Sequence, residues 1–138
     1  MSGGCPSQFN ACALTSIISN GTLDERITHL VEIYSGRARA YAAAMEKYWV
    51  PHGVEYRPCQ GGYFIWVKLP LCVTATELSR QALAQGVWIM EGTKCMVPDD
   101  ESVDYDRFIR ICVALEEEDR AVEGIKRIGE IIDRLRQK

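Results

Sequence analysis

An arginine in the middle of an apolar run is the first residue that asks for a chemical explanation. Residues 107 to 115 read "RFIRICVAL", a string of Phe, Ile, Cys, Val and Ala that suits a strand of a buried sheet. Side chains alternate between the faces of a strand, so Phe108, Arg110, Cys112 and Ala114 share one face and Ile109, Ile111 and Val113 the other. An unpaired guanidinium on such a surface costs on the order of several kcal/mol and cannot be relieved by losing a proton. An anion is therefore expected beside Arg110. Two sources are open: a carboxylate of the same chain, with Glu91 and Asp106 as candidates, or a ligand.

The remaining chemistry-bearing residues are less directive. "GGYFIWVKLP" at 61 to 70 has two glycines that let a ligand approach the backbone, and a hairpin turn accounts for Gly61 and Gly62 equally well. His29 and His52 have no carboxylate or nucleophile nearby in sequence that would make a triad. "EEED" at 116 to 119 reads as the acidic first turn of a helix rather than a metal site. The six cysteines, at 5, 12, 59, 72, 95 and 112, form no CxxC pair and lie near neither histidine. Reduced thiols packed as small hydrophobes are expected, with no zinc site and no disulfides. Trp49, Trp66 and Trp88 are expected in the core.

These residues need elements to hold them. Apolar positions at helical spacing run from residue 6 to Asn20-Gly21, a short helix with a glycine stop. "TLDE" has the capping-box spacing of Thr22 and Glu25 and starts a long helix at Leu23. Its apolar residues Leu23, Ile27, Leu30, Val31, Tyr34, Ala38, Tyr41, Met45 and Tyr48 predict one buried stripe that ends before Pro51, with Gly36 as a soft point. "VEYRP" and Tyr63 to Leu69 predict a hairpin through "CQGG". Thr74 and Glu77 form a second capping box, opening a helix that stops at Gly86. "VWIM" predicts a short strand, a loop "EGTKCMVPDDESVD" follows, and the Arg110 strand leads to a closing amphipathic helix buried through Ala121, Val122, Ile125, Ile128, Ile132 and Leu135. The order predicts an α+β fold, helices on one face of a small and mostly antiparallel sheet.

Composition limits the partners. The chain's 138 residues, 47% hydrophobic and 25% charged, suit one globular domain with a real core. A net charge of -3 offers no basic field for nucleic acid. No apolar run approaches the roughly 18 residues that cross a bilayer, and "MSGGCPSQFN" lacks the regions of a signal peptide. A cytoplasmic protein without nucleic-acid or membrane partners is expected.

Beyond spacing, the wording "SGGCPSQF", "GTLDERITHLVEIYSGRARAYAAAMEKY", "GVEYRPCQGGYFIWVKLP" and "FIRICVALEEEDRAVEGIKRIGEII" resembles the C-terminal part of class I/II pyridoxal-phosphate-dependent aminotransferases, of fold type I. The likeness is nearest to the branch acting on aromatic amino acids and 2-aminoadipate, fungal enzymes included. "GGYFIWVKLP" is similar to that family's GG-x-F-x-W-x-x-LP strand, and "FIRICVAL" to its IRLxF strand. By this resemblance Arg110 matches the strand arginine that binds the α-carboxylate of the amino-acid or 2-oxo-acid substrate, with Gly61, Gly62 and Tyr63 near the wall of the pocket. The family's Schiff-base lysine, its aspartate for the pyridine nitrogen and its phosphate cup belong to a large domain upstream of these residues. Lys47, Lys68, Lys94, Lys126 and Lys138 stand in no such lysine context. The resemblance therefore implies residues 1–138 as one domain: 1–50 a helical segment toward the missing large domain, 51–138 the small α+β domain. It also implies a homodimer in an intact enzyme, and no stable binding of pyridoxal phosphate or transamination by these residues alone. A noncatalytic paralogue that binds or dimerises is the alternative, and an unrelated small-molecule-binding module a third. "EGT" at 91 to 93 departs from the family's frequent Pro-Gly.

Overall fold

Helix periodicity accounts for the first elements of the computed structural model, which describes residues 7–96 and 102–137. Cys5, Lys138 and residues 97–101 of the "EGTKCMVPDDESVD" loop lie outside the described residues. The chain divides into two compact units, with the boundary between Ser35 and Gly36.

In the first unit, helix α1 (Gln8–Ser19) ends at Asn20, and Gly21 supplies the left-handed φ of 77° that turns the chain. The cap of α2 (Thr22–Tyr48) is the Asn20 side chain, whose Oδ1 accepts from Thr22 N–H at 3.1 Å. The predicted burial of these helices needs correction. Residues of α1 are all exposed, and so are Leu23, Ile27 and Val31 of α2; the buried residues of α2 are Tyr41, Ala44 and Met45. Periodicity says which residues share a face, whereas burial also needs an opposing apolar layer.

The second unit carries the sheet. Strands β1 (Glu55–Tyr56), β2 (Phe64–Lys68), β3 (Met90–Glu91) and β4 (Phe108–Cys112) are all antiparallel neighbours in the order β1-β2-β4-β3. Helices α3 (Ala75–Ala84) and α4 (Glu118–Arg136) complete an α+β domain whose long N-terminal helix and later helices pack against an open four-stranded sheet. The β1–β2 hairpin forms as expected. Thr74 caps α3, accepting from Glu77 N–H at 3.3 Å, and Gly86 follows its end with a φ of 75°. The "VWIM" strand is shorter and shifted: Val87 N–H still donates to Ala82 O at 2.9 Å, closing α3, and pairing with β4 begins only at Met90.

Strand parity decides which face is covered. Ile65, Val67, Ile109, Ile111 and Val113 are buried with Met45, Trp49, Leu78, Ile125, Ile128 and Ile132 from the helices. Trp49 fits the core expectation, and its Nε1–H donates to Ile125 O at 2.6 Å, tying the end of α2 to α4. Gly129 permits that approach, since a Cβ there would stand 3.2 Å from Tyr48 Cβ and 3.3 Å from Trp49 Cδ1. Trp66 and Trp88 are not core residues: Trp66 alternates onto the uncovered face of β2, and Trp88 is exposed beside β3. The five described cysteines are free thiols, with Cys12 and Cys72 exposed.

Tyr56 links the hairpin to α2 through contacts of its hydroxyl with Glu46 Oε1 at 2.9 Å and Ala42 O at 3.2 Å. Burial, then the hydrogen bond and charge of Glu46, push its phenol from 10.0 up to about 12. A raised folded-state value means that the native chain holds this proton more tightly than the unfolded one. The stability it contributes is thus complete below about pH 10 and is lost as pH rises toward about 12. Chemical denaturation across that window should show a fall that Tyr56→Phe makes shallower; equal slopes for the two proteins would remove Tyr56 as the cause.

Candidate functional site

Arg110 lies in the centre of β4, on the face no helix covers, and is half-buried rather than buried. The expected demand for an anion is softened accordingly, because the guanidinium keeps access to water. The register places Trp66 of β2 on one side of it and Met90 of β3 on the other. Trp66 stacks on Phe108, with centroids 5.5 Å apart and planes 13° from parallel. The guanidinium carbon of Arg110 sits 4.1 Å from the centroid of the Phe64 ring.

Neither carboxylate proposed as its internal partner is available. Glu91 Oε1 accepts from Lys94 Nζ at 3.1 Å. Asp106 Oδ1 accepts from Thr76 N–H at 2.9 Å and from Thr76 Oγ1 at 2.8 Å, fastening the start of α3. Among the described residues no carboxylate pairs with Arg110, and no acceptor takes its N–H groups. Arg110 lines a concavity of about 660 Å³ together with the apolar Phe64, Trp88, Met90 and Leu115 and with Glu116, Asp119, Arg120, Glu123 and Arg127 from the approach to α4 and its first turns. The fork of Arg110 on the apolar side of this hollow has the geometry to hold an organic acid, while the three carboxylates of its opposite wall disfavour an anion seated near them.

The predicted glycines stand apart from this groove. Gly62 takes a φ of 77° in the β1–β2 turn, and a Cβ on Gly61 or Gly62 would meet nothing within 4 Å, so the turn explains Gly62 and crowding explains neither. Gly61 borders a second concavity of about 560 Å³ beneath the hairpin, with Arg57, Cys59, Phe64 and Trp66. Tyr63 is half-exposed, and its carbonyl accepts from Val113 N–H at 2.9 Å, which extends the β2–β4 ladder. Phe64 borders both hollows. It was missed in the sequence because its place beside Arg110 depends on the register of two strands far apart in the chain.

Residues 2–128 match the family model described as aminotransferase class I and II. The chain belongs to that family. An uncharacterised protein of Saccharomyces cerevisiae is 33% identical over 95% of this chain and 30% of its own length. "Aromatic-amino-acid aminotransferase 1" of Thermococcus litoralis is 28% identical over 93% of this chain and 30% of its own length. Among solved structures, the multiple substrate aminotransferase of Thermococcus profundus superposes with a TM-score of 0.78 at 30% identity, covering 88% of this chain and 29% of that one. This aminotransferase-family chain thus spans about 30% of the length of the curated relatives it matches.

The family's cofactor, pyridoxal phosphate, does not fit the side chains present. A Schiff base needs a lysine at the site, and none of the described lysines borders the hollow that Arg110 faces. Lys68 pairs with Glu55 at 3.2 Å, Lys94 with Glu91, and Lys47 lies over the Tyr48 ring at 5.0 Å. No group of three or more metal-ligating side chains occurs among the described residues.

Proposed function

We propose that this chain is the substrate-carboxylate part of a pyridoxal-phosphate-dependent aminotransferase that moves an amino group between an amino acid and a 2-oxo acid. Arg110 binds the α-carboxylate, and Gly61, Gly62 and Tyr63 at the β1–β2 turn form the small-domain wall outside the Arg110 hollow itself. The observation that carries the reading is the guanidinium itself: it lies on the uncovered face with no acceptor for its donors among the described residues, while Glu91 and Asp106 are engaged elsewhere. The aromatic or 2-aminoadipate class of substrate and the fungal placement are supported by the sequence resemblance, by the Thermococcus litoralis enzyme and by the Saccharomyces relative.

In this reading residues 1–50 join the small domain, 51–138, to a large domain that carries the lysine and the phosphate cup, in a cytoplasmic homodimer. No helix among the described residues is long and apolar enough to cross a membrane. A noncatalytic chain that works by binding or dimerising is the second reading, favoured by the exposed Phe9, Leu14, Ile17, Ile18, Ile27 and Val31.

The test uses residues 1–138 as they stand. Incubation with pyridoxal phosphate, borohydride reduction and peptide mapping should yield no stoichiometric adduct at one lysine, and no amino transfer from aromatic amino acids or 2-aminoadipate. One modified lysine accompanied by turnover would overturn the division of labour between this chain and a large domain.

A further inference from the structure

We propose that Phe64 is the positioning residue for Arg110, its ring holding the guanidinium in one orientation while leaving every N–H donor open to a carboxylate. The inference rests on the reading of Arg110 as a carboxylate site and adds the means by which that site is kept ready.

Register makes the contact specific. Phe64 lies directly across from Cys112 and Trp66 directly across from Arg110. Neither aromatic uses its direct partner on this face for its ring contact. Each reaches the diagonal residue two places along β4 instead, Phe64 to Arg110 and Trp66 to Phe108. Diagonal neighbours are within reach of aromatic and long side chains, and both contacts step in the same direction along the strand. Because Trp66 is occupied by Phe108, it does not compete for the guanidinium. Phe64 is fixed at its root by the Val113 N–H to Tyr63 O bond, 2.9 Å, immediately before it.

The choice of an aromatic platform has a chemical reason. An acidic or carbonyl partner would orient Arg110 by consuming donors in the guanidinium plane and, if charged, by neutralising the charge the ligand needs. A ring attracts the cation through its negative face and uses no donor. The result is a preorganised fork, whose freedom is restricted before the ligand arrives. Phe64 is itself half-exposed, so its exchange for another side chain of similar size leaves the core unaltered.

The experiment follows the Arg110 side-chain Nε–H signal by NMR, identified by its loss in Arg110→Lys, while the chain is titrated with benzoate and, as the uncharged control, benzyl alcohol. The expected result is a saturable shift with benzoate alone, about two- to fivefold weaker in Phe64→Leu, as suits an exposed ring–cation contact. Phe64→Tyr should restore wild-type affinity. Pentafluorophenylalanine in place of Phe64, with the same shape and a reversed quadrupole, should weaken binding at least as much as leucine and broaden the Nε–H signal. A merely structural ring would not distinguish these two aromatic rings. If leucine and the fluorinated ring leave affinity and signal unchanged while Arg110→Lys abolishes the response, the positioning role is wrong and the carboxylate reading stands. If the parent chain gives no saturable response at Arg110, both fall.

Discussion

Arg110→Lys lowers kcat/KM for an amino acid by about ten- to a thousandfold when residues 1–138 stand as the C-terminal part of an intact aminotransferase. Lysine keeps the charge and loses the planar fork, so the loss measures the two parallel hydrogen bonds rather than the attraction alone. Arg110→Met should cost at least as much, because it removes both. The decarboxylated amine of the same substrate is the control: it never meets the guanidinium, and its turnover should be nearly unchanged. Stability should shift by no more than about 0.5 kcal/mol, as for a position without structural polar partners; among the described residues the Arg110 head group has no ion pair and packs on the half-exposed Phe64 ring. Equal losses on acid and amine, or unfolding of either variant, would make Arg110 a structural residue and end the proposed function.

Trp49→Ala should have the largest effect on the fold, about 3–5 kcal/mol by chemical denaturation. Trp49 is fully buried, stands where α2 gives way to the turn at Val50–His52, and donates its Nε1–H to Ile125 O inside α4. Alanine leaves a cavity and removes this tie between the end of α2 and α4 together. Against a typical stability of about 5–15 kcal/mol the variant would be near the edge of folding. Trp49→Phe separates the two causes, retaining most of the volume and losing the bond, and should cost about 1–3 kcal/mol. A loss below about 1 kcal/mol for the alanine variant would mean that α2 and α4 are held together by something other than this residue.

The features readable in the sequence were those set by local periodicity. Alternation along "RFIRICVAL" predicted the buried Ile109, Ile111 and Val113 and the opposite facing of Arg110, and the structure has this pattern. The Thr74 cap, the glycine stops and the length of α2 followed from residue chemistry over a few positions. What escaped was set by partners far away in sequence. The apolar stripe of α2 was visible, but which part of it is covered was not. Trp66 looked like a core residue until β2 was seen to have helices on one side alone. The diagonal from Phe64 to Arg110 required knowing that β2 and β4 are neighbours with β3 at the edge. Gly92 is instructive in the same way. "EGT" departs from the family's Pro-Gly, yet the glycine is kept, and its backbone lies so close to the Tyr105 and Phe108 carbonyls, the latter 2.7 Å from where a Cβ would be, that no other residue fits without moving the start of β4.

The alternating faces of β4 also divide the histories open to this strand. Changes at Ile109, Ile111 and Val113 disturb the core, so selection for a folded chain screens them whatever the substrate. Phe108, Arg110 and Cys112 lie half-buried on the other face, so changes there disturb the core less, and under the proposed function they alter the ligand surface instead. Under the proposed function, a descendant of this sequence can therefore explore new acids through every second residue of one short strand while the core holds the residues between them fixed.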